Sequence, residues 1–129
     1  VNDTGGHAAG DAMLVAVAEL LRRDRRESDV VARLGGEEFA VLLTDTALDA
    51  GCGVAERLRT SIGELFVDHG DRSYSLTTSV GVTELTADDD IGTALSRADN
   101  ALYRAKRNGR DRVEVEPGAI PRGRWIGIA

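Results

Sequence analysis

Two adjacent glycines, Gly35 and Gly36, lie between two runs of mainly apolar residues, and this pattern constrains the fold more than any other in the chain. Residues 30–34 and 39–43 carry the apolar and β-branched side chains that are typical of strands. Because glycine reaches positive φ without steric cost, a glycine pair between two such runs is typical of a tight β-hairpin. The sequence therefore predicts a hairpin with Gly35 and Gly36 in its turn.

Two acids, Glu37 and Glu38, follow this turn directly. Neighbouring carboxylates repel each other unless a cation neutralises them, and carboxylate oxygens are ligands that divalent metal ions prefer. A metal ion that holds a phosphate group would satisfy both acids. A solvated acidic turn without a function fits the same residues, and these residues alone do not separate the two interpretations.

Composition narrows the class of protein. The 129 residues suffice for one domain with a buried core, and the formal charge of −6 argues against a nucleic-acid partner, since a phosphate backbone needs a basic surface. A small anionic ligand held by a few local cations remains compatible with this charge. No apolar run has the length of a membrane span, so we expect no membrane contact. The single cysteine, Cys52, lies in an apolar helical stripe, which indicates a packed core thiol and favours a cytoplasmic protein.

Hydrophobic periodicity predicts three helices besides the hairpin. Apolar residues recur at helical spacing over residues 8–23, 48–62 and 91–105. We expect Thr44, Asp45 or Thr46 to cap the second helix, Asp88 to Asp90 to lie at the start of the third, and Asn108-Gly109 to end it. Within the third helix, Arg97 and Asp99 are expected to form a surface ion pair.

Two further strands and a tail complete the chain. Residues 74–82 alternate between apolar and polar side chains, and Val113 with Val115 indicates a short last strand. The segment 117–129 contains both prolines and three glycines and is predicted to be a flexible tail. The order of elements predicts a two-layer α+β domain over residues 1–116, with a mostly antiparallel sheet flanked by helices.

Three segments resemble the motifs of the GGDEF family, the catalytic domains of diguanylate cyclases. Residues 35–39 (GGEEF) match a form of the motif that names the family. Residues 1–11 (VNDTGGHAAGD) are similar to its N-D-x-x-G-H-x-x-G-D segment, and residues 97–111 (RADNALYRAKRNGRD) match its R-A-D-x-A-L-Y-x-A-K-x-x-G-R-(N/D) segment. The resemblance implies a domain related to nucleotide cyclases and polymerase palms, which condenses two GTP molecules into cyclic di-GMP and two pyrophosphates.

The resemblance also implies roles for residues that have simpler interpretations on their own. Asn2 and Asp11, which alone would be read as helix caps, would recognise guanine. Lys106 and Arg110, spaced four residues apart at a helix end, would bind the phosphates as well as complement the helix dipole. Glu37 and Glu38 would bind Mg²⁺ or Mn²⁺, and the backbone of Gly35 and Gly36 would let the triphosphate approach closely.

A second site follows from residues 26–29 (RESD). An R-x-x-D sequence is by itself most often a surface ion pair. Here five residues separate Asp29 from Gly35, and this spacing resembles that of the family's inhibitory product site. Arg26 and Asp29 would then bind cyclic di-GMP, and Arg57 matches an additional arginine that some members contribute from a neighbouring domain.

One departure from the family pattern concerns its first strand. That strand, which carries another metal-binding aspartate, would precede Val1, so the sequence predicts a domain truncated at its N-terminus, with exposed strand edges and no cyclase activity of its own. We expect a homodimer, because each domain holds one GTP, and an upstream sensor domain. The alternatives are a module that binds GTP or cyclic di-GMP without turnover, and an enzyme that makes another cyclic dinucleotide.

Overall fold

The computed structural model describes residues 6–86, 89–118 and 121–128. Its helices are α1 (Gly6–Asp24), α2 (Leu48–Gly63) and α3 (Ile91–Arg107). Its strands are β1 (Val30–Gly35), β2 (Glu38–Leu43), β3 (Val67–His69), β4 (Arg72–Tyr74), β5 (Val80–Thr86), β6 (Val113–Glu116) and β7 (Pro121–Ile128). None of the described helices has the length and apolar character needed to cross a membrane.

Five strands form the main sheet, in the order β1-β2-β7-β5-β6. β2 is antiparallel to both β1 and β7, and β7 is antiparallel to β5. β6 is parallel to β5, and β3 pairs with β4 in a separate hairpin. The predicted mostly antiparallel sheet is therefore confirmed.

Helices cover both faces of this sheet, because successive residues of a strand point to opposite sides. α1 and α2 bury their apolar stripes on one face, in a core of Val17, Leu20, Leu21, Phe39, Val41, Leu43, Ala55, Leu58, Ile62, Val80, Val82 and Ile128. On the other face, Leu95 and Ala98 of α3 pack against Ala40 and Leu42 of β2. α3 also crosses β5 closely, since a Cβ atom on Gly81 would lie 2.5 Å from the backbone nitrogen of Leu102. The predicted α+β class, a sheet flanked by helices, is confirmed.

The last segment of the chain differs from its sequence prediction. Residues 117–129 are predicted to be a flexible tail, whereas Pro121–Ile128 forms β7 in the middle of the sheet. Its backbone pairs with β2 from Phe39 to Leu43 and with β5 from Val80 to Thr86. The difference has a physical reason: β2 and β5 each present a row of backbone groups that need partners, and this need outweighs the low strand propensity of proline and glycine. β7 thus pairs the strand edges that were expected to be exposed.

Three smaller features also depart from the sequence pattern. β4 ends at Tyr74 and β5 begins at Val80, so the alternating segment 74–82 is not one strand. The N-cap of α2 is Ala47, whose side chain has no hydrogen-bond acceptor and provides no cap. The predicted candidate Thr46 lies one residue earlier, and its hydroxyl donates to the Thr44 carbonyl at 2.8 Å. The N-cap of α3 is confirmed at Asp90, which accepts a hydrogen bond from the Thr93 amide at 2.8 Å; Asp88 lies outside the described residues.

The strand register assigns the connecting segments to two ends of the sheet. Phe39 and Val80 both pair with Ile128, and Val80 pairs with Val113. The β1–β2 turn and the loop 108–112 therefore share one end, which we call the tip end. Val30 pairs with Leu42 at the opposite end. The six residues of β1, at about 3.4 Å per residue, separate the two ends by about 20 Å.

Candidate functional site

The β1–β2 turn projects both candidate metal-binding acids at the tip end. Gly35 pairs with Glu38, so the two turn residues are Gly36 and Glu37 rather than the predicted Gly35 and Gly36. Gly36 has φ +50° and Gly35 has φ +141°, values that favour glycine at both positions. Arg33 closes the turn by donating from Nε and Nη2 to the Gly36 carbonyl, at 2.9 and 2.5 Å. Glu37 is exposed at the turn, and Glu38 is half-buried at the start of β2.

These acids fit part of a site for a divalent metal. Two carboxylates at one turn supply hard oxygen ligands, which suit Mg²⁺ or Mn²⁺. Across residues 6–86, 89–118 and 121–128, no group of three His, Cys, Asp or Glu side chains comes together as a metal site. β7, the strand next to β2, contains no Asp or Glu in its sequence PRGRWIGI. The carboxylates of Glu37 and Glu38 therefore lack a third acid from this neighbouring strand.

Asp11 and the hairpin line one cavity of about 500 Å³. Asp11 is exposed in the first half of α1, and the wall includes Leu14 from the same helix and Arg33 and Phe39 from the hairpin. The wall also includes Glu19 and Arg22, so the cavity combines apolar and charged side chains. A cavity of this size, with apolar side chains and the Asp11 carboxylate, is suited to a planar ring that carries N–H donors. Asn2, the second residue expected to recognise guanine, lies outside the described residues.

Lys106 and Arg110 flank the end of α3. Lys106 is half-buried on the helix, whereas Arg110 is exposed in the loop after it, so the expected helical spacing of the pair is not maintained. Arg110 and Asp111 have φ of +63° and +45°. Two consecutive non-glycine residues in the left-handed region are unusual, and such strain is often found at functional sites. The loop brings Arg110 to the same end of the sheet as Glu37 and Glu38.

Arg26, Asp29 and Arg57 line a second cavity, of about 300 Å³, between the end of α1, the end of β2 and α2. The Asp29 side chain is 5% exposed and accepts hydrogen bonds from the Nε and Nη2 of Arg26, at 3.2 and 3.0 Å. It also accepts the Arg26 backbone N–H at 3.0 Å. Burial alone would raise the pKa of Asp29, but these hydrogen bonds and the charge of Arg26 hold the pKa below its ordinary value.

The Arg26 side chain remains 57% exposed despite this pairing. Its Nη2 also donates to the Thr44 carbonyl at 2.7 Å and the Thr46 hydroxyl at 2.9 Å. Its Nη1 donates to no acceptor within the described part of the chain, so one edge of the guanidinium is available to a ligand. Sequence reasoning missed Thr46 because its position before a helix indicated a cap.

Arg97 forms a further charged cluster that the sequence assigned wrongly. Its partner is Asp89, not Asp99, and the two side chains are 18% and 5% exposed. Arg97 also donates from Nε to the Thr83 hydroxyl at 2.7 Å and from Nη2 to the Glu84 carbonyl. The hydrogen bonds from Arg97 and from the Thr86 amide hold the pKa of Asp89 far below its ordinary value. The spacing within the helix was the available signal that Arg97 faces inward. Arg97 lies three residues after Ala94 and four before Ala101, and both alanines are buried.

Comparison with known proteins identifies the family. A family model described as "Diguanylate cyclase, GGDEF domain" matches residues 1–112. Diguanylate cyclase A from Treponema denticola is 41% identical over 123 residues, which is 95% of this chain but 33% of that protein. The chain thus spans about a third of this relative's length.

Solved structures agree with this assignment. Diguanylate cyclase SiaD from Pseudomonas aeruginosa, solved with its activator SiaC, superposes with a TM-score of 0.84 at 44% identity, covering 90% of this chain and 45% of SiaD. The GGDEF domain of DgcB from Caulobacter crescentus, solved with c-di-GMP, gives a TM-score of 0.82 at 32% identity, covering 88% of this chain and 68% of DgcB. With its GGEEF turn, its fold and these relatives in agreement, the chain belongs to the GGDEF family of diguanylate cyclase domains.

Proposed function

We propose that this domain serves a diguanylate cyclase that converts two GTP molecules into cyclic di-GMP and two pyrophosphates. In each half-reaction the 3′-hydroxyl oxygen of one GTP forms a bond to the α-phosphorus of the other. The bond from that phosphorus to the bridging oxygen of pyrophosphate breaks, and the hydroxyl loses its proton. The observation that carries the proposal is that the acidic turn and the loop of Arg110 share one end of the sheet, and that Asp11 shares a cavity with Arg33 and Phe39 of the hairpin.

Each residue has a defined task in this proposal. Asp11, with Asn2, recognises guanine, and Lys106 and Arg110 bind the phosphates. Gly35 and Gly36 leave space for the triphosphate beside the turn, where a Cβ atom on either would meet no atom within 4 Å. Glu37 and Glu38 are the ligands for Mg²⁺ or Mn²⁺. A bound metal ion would lower the pKa of the attacking hydroxyl and neutralise charge on the leaving pyrophosphate.

The assembly follows from the chemistry. One domain holds one GTP, so two domains must face each other, and a two-fold homodimer provides this arrangement. The formal charge of −6 argues against a nucleic-acid partner. A location in the cytoplasm would give the domain access to GTP.

Feedback by the product is the second part of the proposal. Arg26, Asp29 and Arg57 share one cavity at the end of the sheet opposite to the acidic turn. The exposed guanidinium edge of Arg26 suits the guanine edge or a phosphate of cyclic di-GMP.

A module that binds nucleotide without turnover is a second candidate for the chain as it stands. The composition of β7 favours it, because the strand between β2 and β5 carries no carboxylate that could complete a metal site with Glu37 and Glu38. Both candidates share the same guanine and phosphate contacts and differ in catalysis alone.

Base choice tests the guanine contacts in either case. We expect the 129-residue chain to bind GTP more tightly than ATP, because the ring N–H and the amino group of guanine can donate to the Asp11 carboxylate, whereas N1 of adenine is an acceptor. Asp11→Ala should reduce this preference by about tenfold or more, the effect of a lost hydrogen bond to a charged group. Asp49→Ala removes an equal charge from an exposed position on α2 and is the matched control. Calorimetric titrations that show equal affinity for GTP and ATP in the unchanged chain would contradict the assignment.

A further inference from the structure

The loop that carries Arg110 has a backbone that needs external support. Arg110 and Asp111 both lie in the left-handed region, which side chains other than glycine adopt at a cost in free energy. The Arg110 amide donates to the Ala105 carbonyl of α3 at 2.8 Å, and Arg112 Nε donates to the Arg110 carbonyl at 3.2 Å. Such a conformation persists only where surrounding contacts fix it.

The support comes from α2. Arg59 Nη1 and Asp111 Oδ1 lie 2.6 Å apart, a short ion pair between residues 52 positions apart in the sequence. Glu56, one turn earlier on α2, accepts from Arg59 Nε and Nη2, at 3.0 Å each. Glu56, and then Asp111, raise the pKa of Arg59 above its ordinary value. The Arg59 side chain is 25% exposed, so the pair is partly shielded from solvent.

This chain of contacts orients the loop without using the side chain of Arg110. Glu56 holds the guanidinium of Arg59 in a fixed orientation, and Arg59 then holds Asp111, the immediate neighbour of Arg110. No hydrogen bond or ion pair of the Arg110 side chain is found within the described residues, so its guanidinium is available to an anion at the tip end.

We propose that the ion-pair chain Glu56–Arg59–Asp111 positions Arg110 for the triphosphate of GTP. Arg59 and Asp111 are positioning residues in this arrangement and do not touch the nucleotide. The inference rests on the proposed function, in which Arg110 binds the phosphates.

Asp111→Asn distinguishes positioning from simple electrostatics. Asparagine accepts the left-handed backbone as well as aspartate does, so the variant removes the charge without a new backbone conflict. If charge alone mattered, loss of a negative charge next to the triphosphate site would strengthen nucleotide binding. Positioning predicts the opposite, an affinity about three- to fivefold lower, the scale of a partly exposed ion pair.

Arg59→Gln should weaken binding to the same extent, and the double variant should be no weaker than either single one, because both substitutions break the same contact. Arg107→Gln removes an equal positive charge from the end of α3 and is the matched control, with an expected affinity close to that of the unchanged chain. Arg59→Lys keeps the charge but not the planar fork and should restore part of the affinity.

The measurement is calorimetric titration of the 129-residue chain with a GTP analogue that has a methylene group between the α- and β-phosphorus atoms. Hydrogen exchange of residues 109–112 in the same samples reports the loop directly and should be faster in Arg59→Gln and Asp111→Asn. Thermal unfolding of each variant confirms that the domain is folded at the titration temperature.

Arg110→Ala distinguishes the proposed phosphate contact of Arg110 from the proposed positioning of Arg110 through Asp111. Loss of affinity in Arg110→Ala, together with weaker binding in Asp111→Asn and faster loop exchange, supports the inference. Loss in Arg110→Ala with unchanged or tighter binding in Asp111→Asn would overturn the inference and leave the phosphate contact of the proposed function intact. Unchanged binding in Arg110→Ala would overturn both.

Discussion

The pairs Arg26–Asp29 and Arg97–Asp89 combine the same residue types in two different surroundings. Both aspartates are 5% exposed and both arginines donate to them from two nitrogens. The arginines differ: Arg26 is 57% exposed and Arg97 is 18% exposed. All three guanidinium nitrogens of Arg97 donate hydrogen bonds inside the domain, whereas Nη1 of Arg26 has no acceptor among the residues described. The donors left available to solvent, rather than the ion pair itself, therefore make Arg26 and not Arg97 the candidate for a ligand contact.

The largest effect that we expect is a difference in the free energy of unfolding between variants that lack Arg97 and variants that lack Arg26. Arg97→Met leaves the Asp89 carboxylate, whose side chain is 5% exposed, without its partner and should lower the free energy of unfolding more than any other substitution in this comparison. Arg26→Met should cost less, because the Arg26 side chain is 57% exposed, so that solvent already screens the pair and water can replace the guanidinium beside Asp29. Urea unfolding of both variants at pH 7 measures the difference. Equal losses would show that exposure does not distinguish these pairs.

Binding of cyclic di-GMP should depend on Arg26 and not on Arg97, the reverse of the order expected for stability. Arg26→Ala should weaken cyclic di-GMP binding to the 129-residue chain by about tenfold or more, the loss of charge-assisted hydrogen bonds to the ligand. Arg97→Met, titrated at a temperature where it is folded, should bind cyclic di-GMP as the unchanged chain does. Calorimetry on the three proteins gives both values, and the same affinity in all of them would sink the assignment of Arg26 to the product site.

Acid pH should reveal a smaller difference between the two aspartates. Each has a folded-state pKa below its ordinary value of 3.8, so each stabilises the fold fully above that pH. Their contributions are lost as the pH falls through the folded-state values. Burial opposes the lowering at Asp29, while at Asp89 the hydrogen bond from Arg97 is the largest cause, so the pKa of Asp89 is held further down.

The corresponding variants test this order. Asp89→Asn should flatten the fall in unfolding free energy between pH 5 and pH 2 more than Asp29→Asn does, as measured by urea titrations at stepped pH. A steeper fall in Asp89→Asn than in Asp29→Asn would contradict the comparison.

Local patterns in the sequence were sufficient for most of the fold. The apolar stripes predicted α1, α2 and α3 to within a few residues, and the glycine pair predicted the hairpin. β7 could not be predicted in this way, because its place in the sheet depends on the unpaired edges of β2 and β5 and not on the residues of the segment itself. The cap of α2 failed for a similar reason, since Thr46 bonds to Arg26 from a distant part of the chain.

In the candidate site, too, the sequence predicted some residues and missed those whose contacts depend on distant segments. Motif resemblance identified Arg26, Asp29 and Arg57, and the structure places all three at one cavity. The ion pairs Arg97–Asp89 and Arg59–Asp111 join segments that are far apart in the sequence or lie in a loop, and no local pattern indicates them. Contacts of this kind depend on tertiary packing, which helical or strand periodicity does not encode.

The central claim, that Glu37 and Glu38 are the metal-binding acids of a cyclase, is tested most directly by product formation. The assay compares the 129-residue chain with a fusion in which the first strand of a relative, such as Diguanylate cyclase A from Treponema denticola, is joined before Val1. With GTP and Mg²⁺ or Mn²⁺, chromatography should detect no cyclic di-GMP from the chain alone, clear formation by the fusion and none by the fusion with Glu37→Gln. Undiminished formation of cyclic di-GMP by the Glu37→Gln fusion would contradict the claim.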